Sequence, residues 1–246
     1  MSAGDVKTTI MDSRWACCEG GTPTFFPGGR SWSVGAVRKP RIGAIIKAAQ
    51  CYRDHLLNRN LLLVGVNRDG KAMCLQLRFL ARHFKHLTGV RTQTKILAND
   101  FFNRALEGRL PEKEILPDGS GFAELKLKAA GSMFKPDLAV NAFGEPSGAR
   151  LHVEVDVFAG NSCASLGFIE DHDWFDPVTI LSSPIGDETL KQRRFRVVAV
   201  FPKGVGDSRY GAPSKVALKD GDNWEKIVAK LPPSLSYLSL DAGGGA

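Results

Sequence analysis

The sequence has little cysteine, no long apolar run and, over more than a quarter of its length, almost no acid. Each absence removes a class of protein. The five cysteines (Cys17, Cys18, Cys51, Cys74 and Cys163) are odd in number and show no C-x-x-C spacing. A disulfide framework or a thiolate zinc site is therefore not expected, and reduced thiols in an intracellular protein, cytoplasmic or nuclear, are. No apolar stretch approaches the roughly 20 residues that span a bilayer. The opening MSAGDVKTTIMDSRW has no apolar signal-peptide core, so no membrane partner is expected. The serines lack a nucleophile elbow and Cys163 has no recognisable base. GVGDSRYG at 204–211 lacks the Gly-Lys-Ser/Thr of a phosphate-binding loop, so triad hydrolases and nucleotide loops are not indicated either.

Acid is scarce between Arg30 and Lys95. That segment holds 14 Lys or Arg residues against Asp54 and Asp69, a net +12, whereas the rest of the chain carries 19 basic and 24 acidic residues, a net −5. Neutralising phosphates releases counterions and gives sequence-independent affinity, so this asymmetry points to a polyanion partner, DNA or RNA. A basic surface that only keeps the protein dispersed is the alternative. The 246 residues, 43% hydrophobic and 24% charged, suit one large domain or two small ones with room for a core.

Residues 1–40 are rich in Gly, Pro, Ser and Thr and read as an arm, with Trp15, Phe25, Phe26 and Trp32 available to dock on the body or to stack on bases. A single domain is expected over 41–235 and a flexible tail over 236–246. Ile42, Ile45, Ile46, Ala49, Tyr52 and Leu56 recur at the spacing of an amphipathic helix over 42–57. LLLVGV at 61–66 reads as a buried strand, and NRDG at 67–70 as a turn. A second helix is expected over 72–87, closed by Gly89; Arg78, Arg82 and Lys85 would form a basic stripe on it, with Lys71 just before. His83 and His86 lie three residues apart on the same helix and add contacts or are simply surface residues. Further expectations are a strand at 90–97, a short helix at 99–108, a strand at 122–128, a long polar loop after Phe158, a helix from Gly186, an apolar strand at 195–201 and a helix near 223–231. The acids of EDHDWFD at 170–176 read as a cation loop or a solvated one. Mixed helices and strands give an α/β or α+β class.

The stretch KPDLAVNAFGEPSGARLHVEVDVF, 135–158, alternates apolar and polar residues on both sides of a Gly-Pro-Ser loop at 144–149, as a hairpin would. With Phe143 opposite Arg150, Asp137 falls opposite Asp156, and Glu154 shares their face. Three carboxylates so close raise one another's pKa values or recruit a hard cation, Mg²⁺ or Mn²⁺, unless the register slips or the face is simply wet.

This order of elements, with Pro136-Asp137 and then Glu154-Val155-Asp156, resembles the core of the PD-(D/E)xK nuclease superfamily over about residues 72–202. The resemblance implies a central mixed β-sheet flanked by helices, a restriction-endonuclease-like core. It also implies metal-dependent cleavage of phosphodiesters, with Asp137, Glu154 and Asp156 holding the metal and Glu124 completing its shell. Asp156 stands where that superfamily has lysine, so Asp156 itself, Lys126, Lys128 or Lys191 would serve the attacking water. The alternative is a non-catalytic nucleic-acid-binding or assembly protein on a degenerate nuclease-like fold.

Overall fold

The structure, a computed structural model, describes residues 39–118, 120–148 and 154–240. The arm, with Cys17 and Cys18, and the last residues of the tail lie outside them. Helix α1 (Ile42–His55) buries Ile45, Ala48, Ala49 and Tyr52 along one face, the i, i+3, i+4, i+7 stripe that the sequence presents. Strand β1 (Arg59–Val66) is almost wholly buried and turns through Asn67–Gly70, where Asn67 Oδ1 accepts the N–H groups of Asp69 and Lys71.

The turn leads into a strand, not into the first half of a helix. Strand β2 (Ala72–Arg78) pairs antiparallel with β1, Leu63 opposite Leu75 and Leu61 opposite Leu77, and only then does α2 (Ala81–Thr88) begin. The apolar residues at 73, 77, 80, 84 and 87 mimic one helical stripe because two elements of different period happen to join. Met73, which a continuous helix would bury, is exposed. Gly89 ends α2 in the left-handed conformation at φ 64°, where a glycine carries no Cβ penalty. Residues 90–97 do not form the expected strand, contributing only a bridge from Thr92 to Ile115. Helix α3 (Ala98–Leu106) comes next.

Residues 122–128 correct a second expectation. They open helix α4 (Phe122–Met133), which buries Ala123, Lys126, Leu127, Ala130 and Met133. The alternation of Leu125 and Leu127 imitates a strand, but Ala, Leu, Glu and Lys are strong helix formers. Asp118 secures the start, its carboxylate accepting the Ala123 N–H at 2.6 Å and the Ser120 N–H at 3.1 Å.

The remaining strands are β3 (Ala142–Pro146), β4 (Val157–Gly160), β5 (Ser165–Asp171), β6 (Trp174–Leu181), β7 (Thr189–Gly204) and β8 (Lys215–Val216). The β5–β6 hairpin occupies the span expected to be a polar loop, and the helix expected from Gly186 is one turn, α5 (Ile185–Glu188), before β7. Helix α6 (Trp224–Val228) closes the order, capped by the Asn223 side chain.

The described strands form one mixed sheet in the order β1-β2-β6-β5-β4-β3-β7-β8, and β7 also pairs with β1. The pairings therefore run round a ring, joined between β2 and β6 by a parallel contact at Leu77 and Phe175. One face packs on α1 to α4 through a core centred on Tyr52, whose ring meets Phe79, Phe84, Phe102 and Phe134. Leu62, Val64, Val198 and Phe201 on the other face pack with Ile227, Leu231 and Leu235. Both faces are covered there, so β1 and the Val197–Phe201 part of β7 read as continuous apolar runs. The α/β class and the central mixed sheet flanked by helices agree with the sequence.

Candidate functional site on the α2–α4 face

The hairpin register that the sequence favoured is not the one adopted. β3 pairs with β4 with Ala142 opposite Gly160 and Gly144 opposite Phe158. Asp137 lies in the turn before β3, where its Oδ1 accepts the Ala139 N–H at 3.0 Å across two residues of positive φ, Leu138 and Ala139. Asp156 lies just before Val157, at the far end of β4, where its Oδ2 accepts the Glu170 N–H at 2.7 Å. The length of β4 separates the two. Glu154 is exposed outside any strand, and residues 151–153 of the expected strand lie outside those described. Glu124 is exposed on the first turn of α4, with Lys128 one turn further along the exposed side. Among the described residues no three His, Cys, Asp or Glu side chains group as a metal site. Asp137, Glu154, Asp156 and Glu124 do not converge on one point, so this donor set does not fit one Mg²⁺ or Mn²⁺ ion.

The basic stripe is redistributed as well. Arg78 ends β2, and its guanidinium is held by Asp176 through Nε and Nη2, at 2.8 Å each, and by Asp171 at 2.7 Å. Its charge is neutralised within the fold, and two of the four acids of EDHDWFD, Asp171 and Asp176, thereby pair with arginine. Lys85 donates to Ile96 O at 2.7 Å, and Lys71 sits exposed at the opposite end of β2 from Arg78. Arg82 is half exposed, reaching Asp176 at 3.2 Å.

Next to Arg82, His83 is buried. Its Nδ1 accepts the Leu80 N–H at 3.2 Å, and its Nε2 lies 3.3 Å from the Arg82 Nε donor and 3.4 Å from Asp176 Oδ2. Burial dominates the attraction of Asp176 and holds the His83 pKa down at about 4. The ring is a neutral strut that caps α2.

One turn along, His86 stands on the exposed side of α2, four residues after Arg82 and hence a neighbour of it on the helix surface. Its pKa is lowered by partial desolvation and by the charges of Lys85 and Lys126. Lys126 comes from α4 and is buried. Its Nζ lies 3.1 Å from Thr179 Oγ1 and 3.4 Å from His86 O, and 4.9 Å from the centre of the Phe122 ring. Desolvation brings the Lys126 pKa down to about 8. Asp176 and Thr179 stand on one face of β6, since the irregularity at Gly167/Phe168 pairs Ile169 with Asp176 and Gly167 with Thr179. The β6 edge thus fixes both ends of a row running from Arg82 past His86 to Lys126.

Such a row, with an imidazole kept neutral beside guanidinium and ammonium groups, can take a proton from a hydroxyl while cations receive a phosphate. The family model described as phage-Barnase-EndoU-ColicinE5/D-RelE like nuclease4 matches residues 44–173, more than half of the chain. The chain belongs to that nuclease-like family. The family span runs from α1 into the β5–β6 turn and holds Arg82, His86 and Lys126, while Asp176 and Thr179 lie just beyond it. Membership supports the nuclease-like reading of the sequence without supporting the PD-(D/E)xK superfamily specifically. No curated protein and no solved structure matches the chain significantly. No helix among the described residues is long and apolar enough to cross a membrane.

Of the site residues expected from the sequence, Arg82 and Lys126 are held on the same strand, by Asp176 and Thr179 of β6 respectively, whereas Lys128, Asp137, Glu154 and Asp156 stand apart. His86 was legible only as one of a helical pair. The sequence pattern places Lys126 on a strand beside carboxylates, whereas the helix over Phe122–Met133 buries it.

Proposed function

We propose that the protein cleaves nucleic-acid phosphodiesters on the α2–α4 face, with His86 as general base and Arg82 and Lys126 as phosphate ligands. One observation carries this reading: a histidine whose pKa is lowered by desolvation and by the charges of Lys85 and Lys126 stands one helical turn from Arg82, and Lys126 itself has a pKa of about 8. His86 removes the proton of the attacking hydroxyl as it adds to phosphorus. Arg82 and Lys126 stabilise the charge that builds on the non-bridging oxygens. The Lys126 ammonium, protonated below about pH 8, gives a proton to the leaving oxygen, so the proton taken at one end is replaced at the other. Membership in a nuclease-like family supports the same substrate class. The Mg²⁺ or Mn²⁺ chemistry expected of Asp137, Glu154 and Asp156 supplies no step here, because those side chains do not converge.

The test is cleavage of labelled single- and double-stranded RNA and DNA, in EDTA and with Mg²⁺ or Mn²⁺, by wild type, His86→Ala, Lys126→Met and the double variant Asp137→Ala/Glu154→Ala. Loss of about 10²–10⁴-fold is expected on removing His86, in EDTA and with metal alike. Activity that survives His86→Ala but requires metal and vanishes in the carboxylate variant would overturn the proposal in favour of the metal-dependent one. Salt-sensitive binding without cleavage of any substrate would favour a non-catalytic nucleic-acid binder.

A further inference from the structure

Beside Lys126 lies an open pocket of about 290 Å³, lined by Phe122, Leu125, Lys126, Leu181, Ser183 and Glu188 among others. Its walls are unlike the surface around them. Phe122 and Leu125 are each about half exposed, at 48% and 50%, although they stand three residues apart on a helix whose other apolar side chains are buried. The far wall is polar, with the Ser183 hydroxyl donating to Glu188 Oε1 at 2.6 Å. The volume is near the lower end of small-ligand pockets, ~300 Å³, which suits a planar ring system and not an extended chain. Lys126 belongs to both places: it lines the pocket, and its ammonium lies against the Phe122 ring and reaches His86 O.

We infer that this pocket is a nucleobase subsite: one unstacked base of the strand whose phosphate meets His86 and Lys126 enters it and lies on Phe122. Aromatic rings exposed next to a cationic track are how proteins hold unpaired strands, since every base offers a π-face. Leu125 and Leu181 provide the apolar floor, and Ser183 and Glu188 accept hydrogen bonds from N–H groups at the base edge. Because a paired base cannot leave its stack without cost, the subsite favours unpaired strands over duplex.

This inference rests on the proposed α2–α4 site, and the test separates the two. Equilibrium binding of a labelled RNA oligonucleotide and of its abasic-tract counterpart is measured in a His86→Ala background, so that no cleavage intervenes, with and without Phe122→Ala or Phe122→Trp. Phe122→Ala is expected to weaken binding of the base-bearing strand by about 5- to 150-fold, the equivalent of one lost stacking contact, and to leave the abasic strand unchanged. Phe122→Trp should retain or strengthen it, which distinguishes stacking from a folding defect. Equal weakening of both strands by Phe122→Ala, or weakening of neither, overturns the subsite. Absence of wild-type cleavage accompanied by base-dependent binding would instead sink the catalytic reading and leave the subsite standing.

Discussion

Two side chains at the site have ionisation set by burial, and each leaves a signature in pH. His86 acts only when neutral, and its pKa lies below the usual histidine value of 6.5 because of desolvation, Lys85 and Lys126. Lys126 acts only when charged and loses its proton at about 8. kcat/KM for cleavage should therefore be bell-shaped, rising below pH 6.5 and falling near pH 8. In Lys126→Arg the guanidinium stays charged but gives no proton to the leaving oxygen, so the rate should fall and the basic limb of the residual activity should vanish; a limb that stays near pH 8 would assign it to another group. The same burial has a cost in stability. Unfolded, Lys126 binds its proton up to 10.5, so the unfolded state holds more protons between 8 and 10.5 and stability rises with pH across that window. At pH 7 the full penalty is present, and Lys126→Met should stabilise the fold by about 1–3 kcal/mol while abolishing cleavage, a stability–activity trade-off that denaturant melts at pH 7 and pH 10 would resolve. His83 works at the acid end. Its pKa falls from 6.5 unfolded to about 4 folded, so stability should be complete above pH 6.5 and decline as pH drops toward 4. Substituting His83 with Asn, which keeps an acceptor for the Leu80 N–H, should flatten that decline in a pH series of melts.

Among the elements, those whose pattern has one period were legible and those built from two were not. α1 sits where its periodicity placed it because it meets one continuous apolar surface, and β1 sits where its apolar run placed it because both of its faces are covered. Residues 72–88 divide into β2 and α2 because pairing with β1 across the Asn67–Gly70 turn competes with helix formation and wins up to Arg78, a long-range effect that no local pattern records. The Asp137–Asp156 pairing failed for a related reason: the register of β3 is set by Phe143 stacking on Phe195 of β7, a partner fifty residues away and not the next strand in sequence. Close backbone approach holds that register elsewhere in the sheet. A Cβ on Gly160 would lie 2.4 Å from Ala164 O and 2.8 Å from the Ser165 Cα, both backbone atoms of the β4–β5 turn that cannot swing aside. Gly160→Ala should destabilise by about 1–3 kcal/mol, read as a lower denaturation midpoint at unchanged slope; an unaltered midpoint would mean that the turn is looser than the pairing implies.

At the scale of the whole molecule, the sequence's basic segment is not one surface. The four cations expected to form its stripe are divided: Arg78 is neutralised in the β2–β6 ion-pair network, Lys85 is tethered to Ile96 O, Lys71 lies at the far end of β2, and Arg82 remains open to solvent. Net charge thus overstates the cation available to a phosphate backbone, since a guanidinium already paired with two carboxylates releases no counterion when a strand arrives. The two arginines four residues apart in sequence should therefore behave oppositely. Arg82→Ala should reduce the dependence of log K on log salt by about one unit for a bound oligonucleotide and leave the melting midpoint nearly unchanged. Arg78→Met should leave that slope alone and destabilise the fold by about 1–3 kcal/mol, because Asp176 would keep its partly buried carboxylate with only Arg82 and a neutral His83 to face it. Measuring binding between low and physiological salt for both variants, beside their melts, decides the point. A lowered slope in Arg78→Met would mean that a bound strand displaces Asp171 and Asp176 from the guanidinium, making the ion-pair network a competitor for phosphate and not a fixed strut.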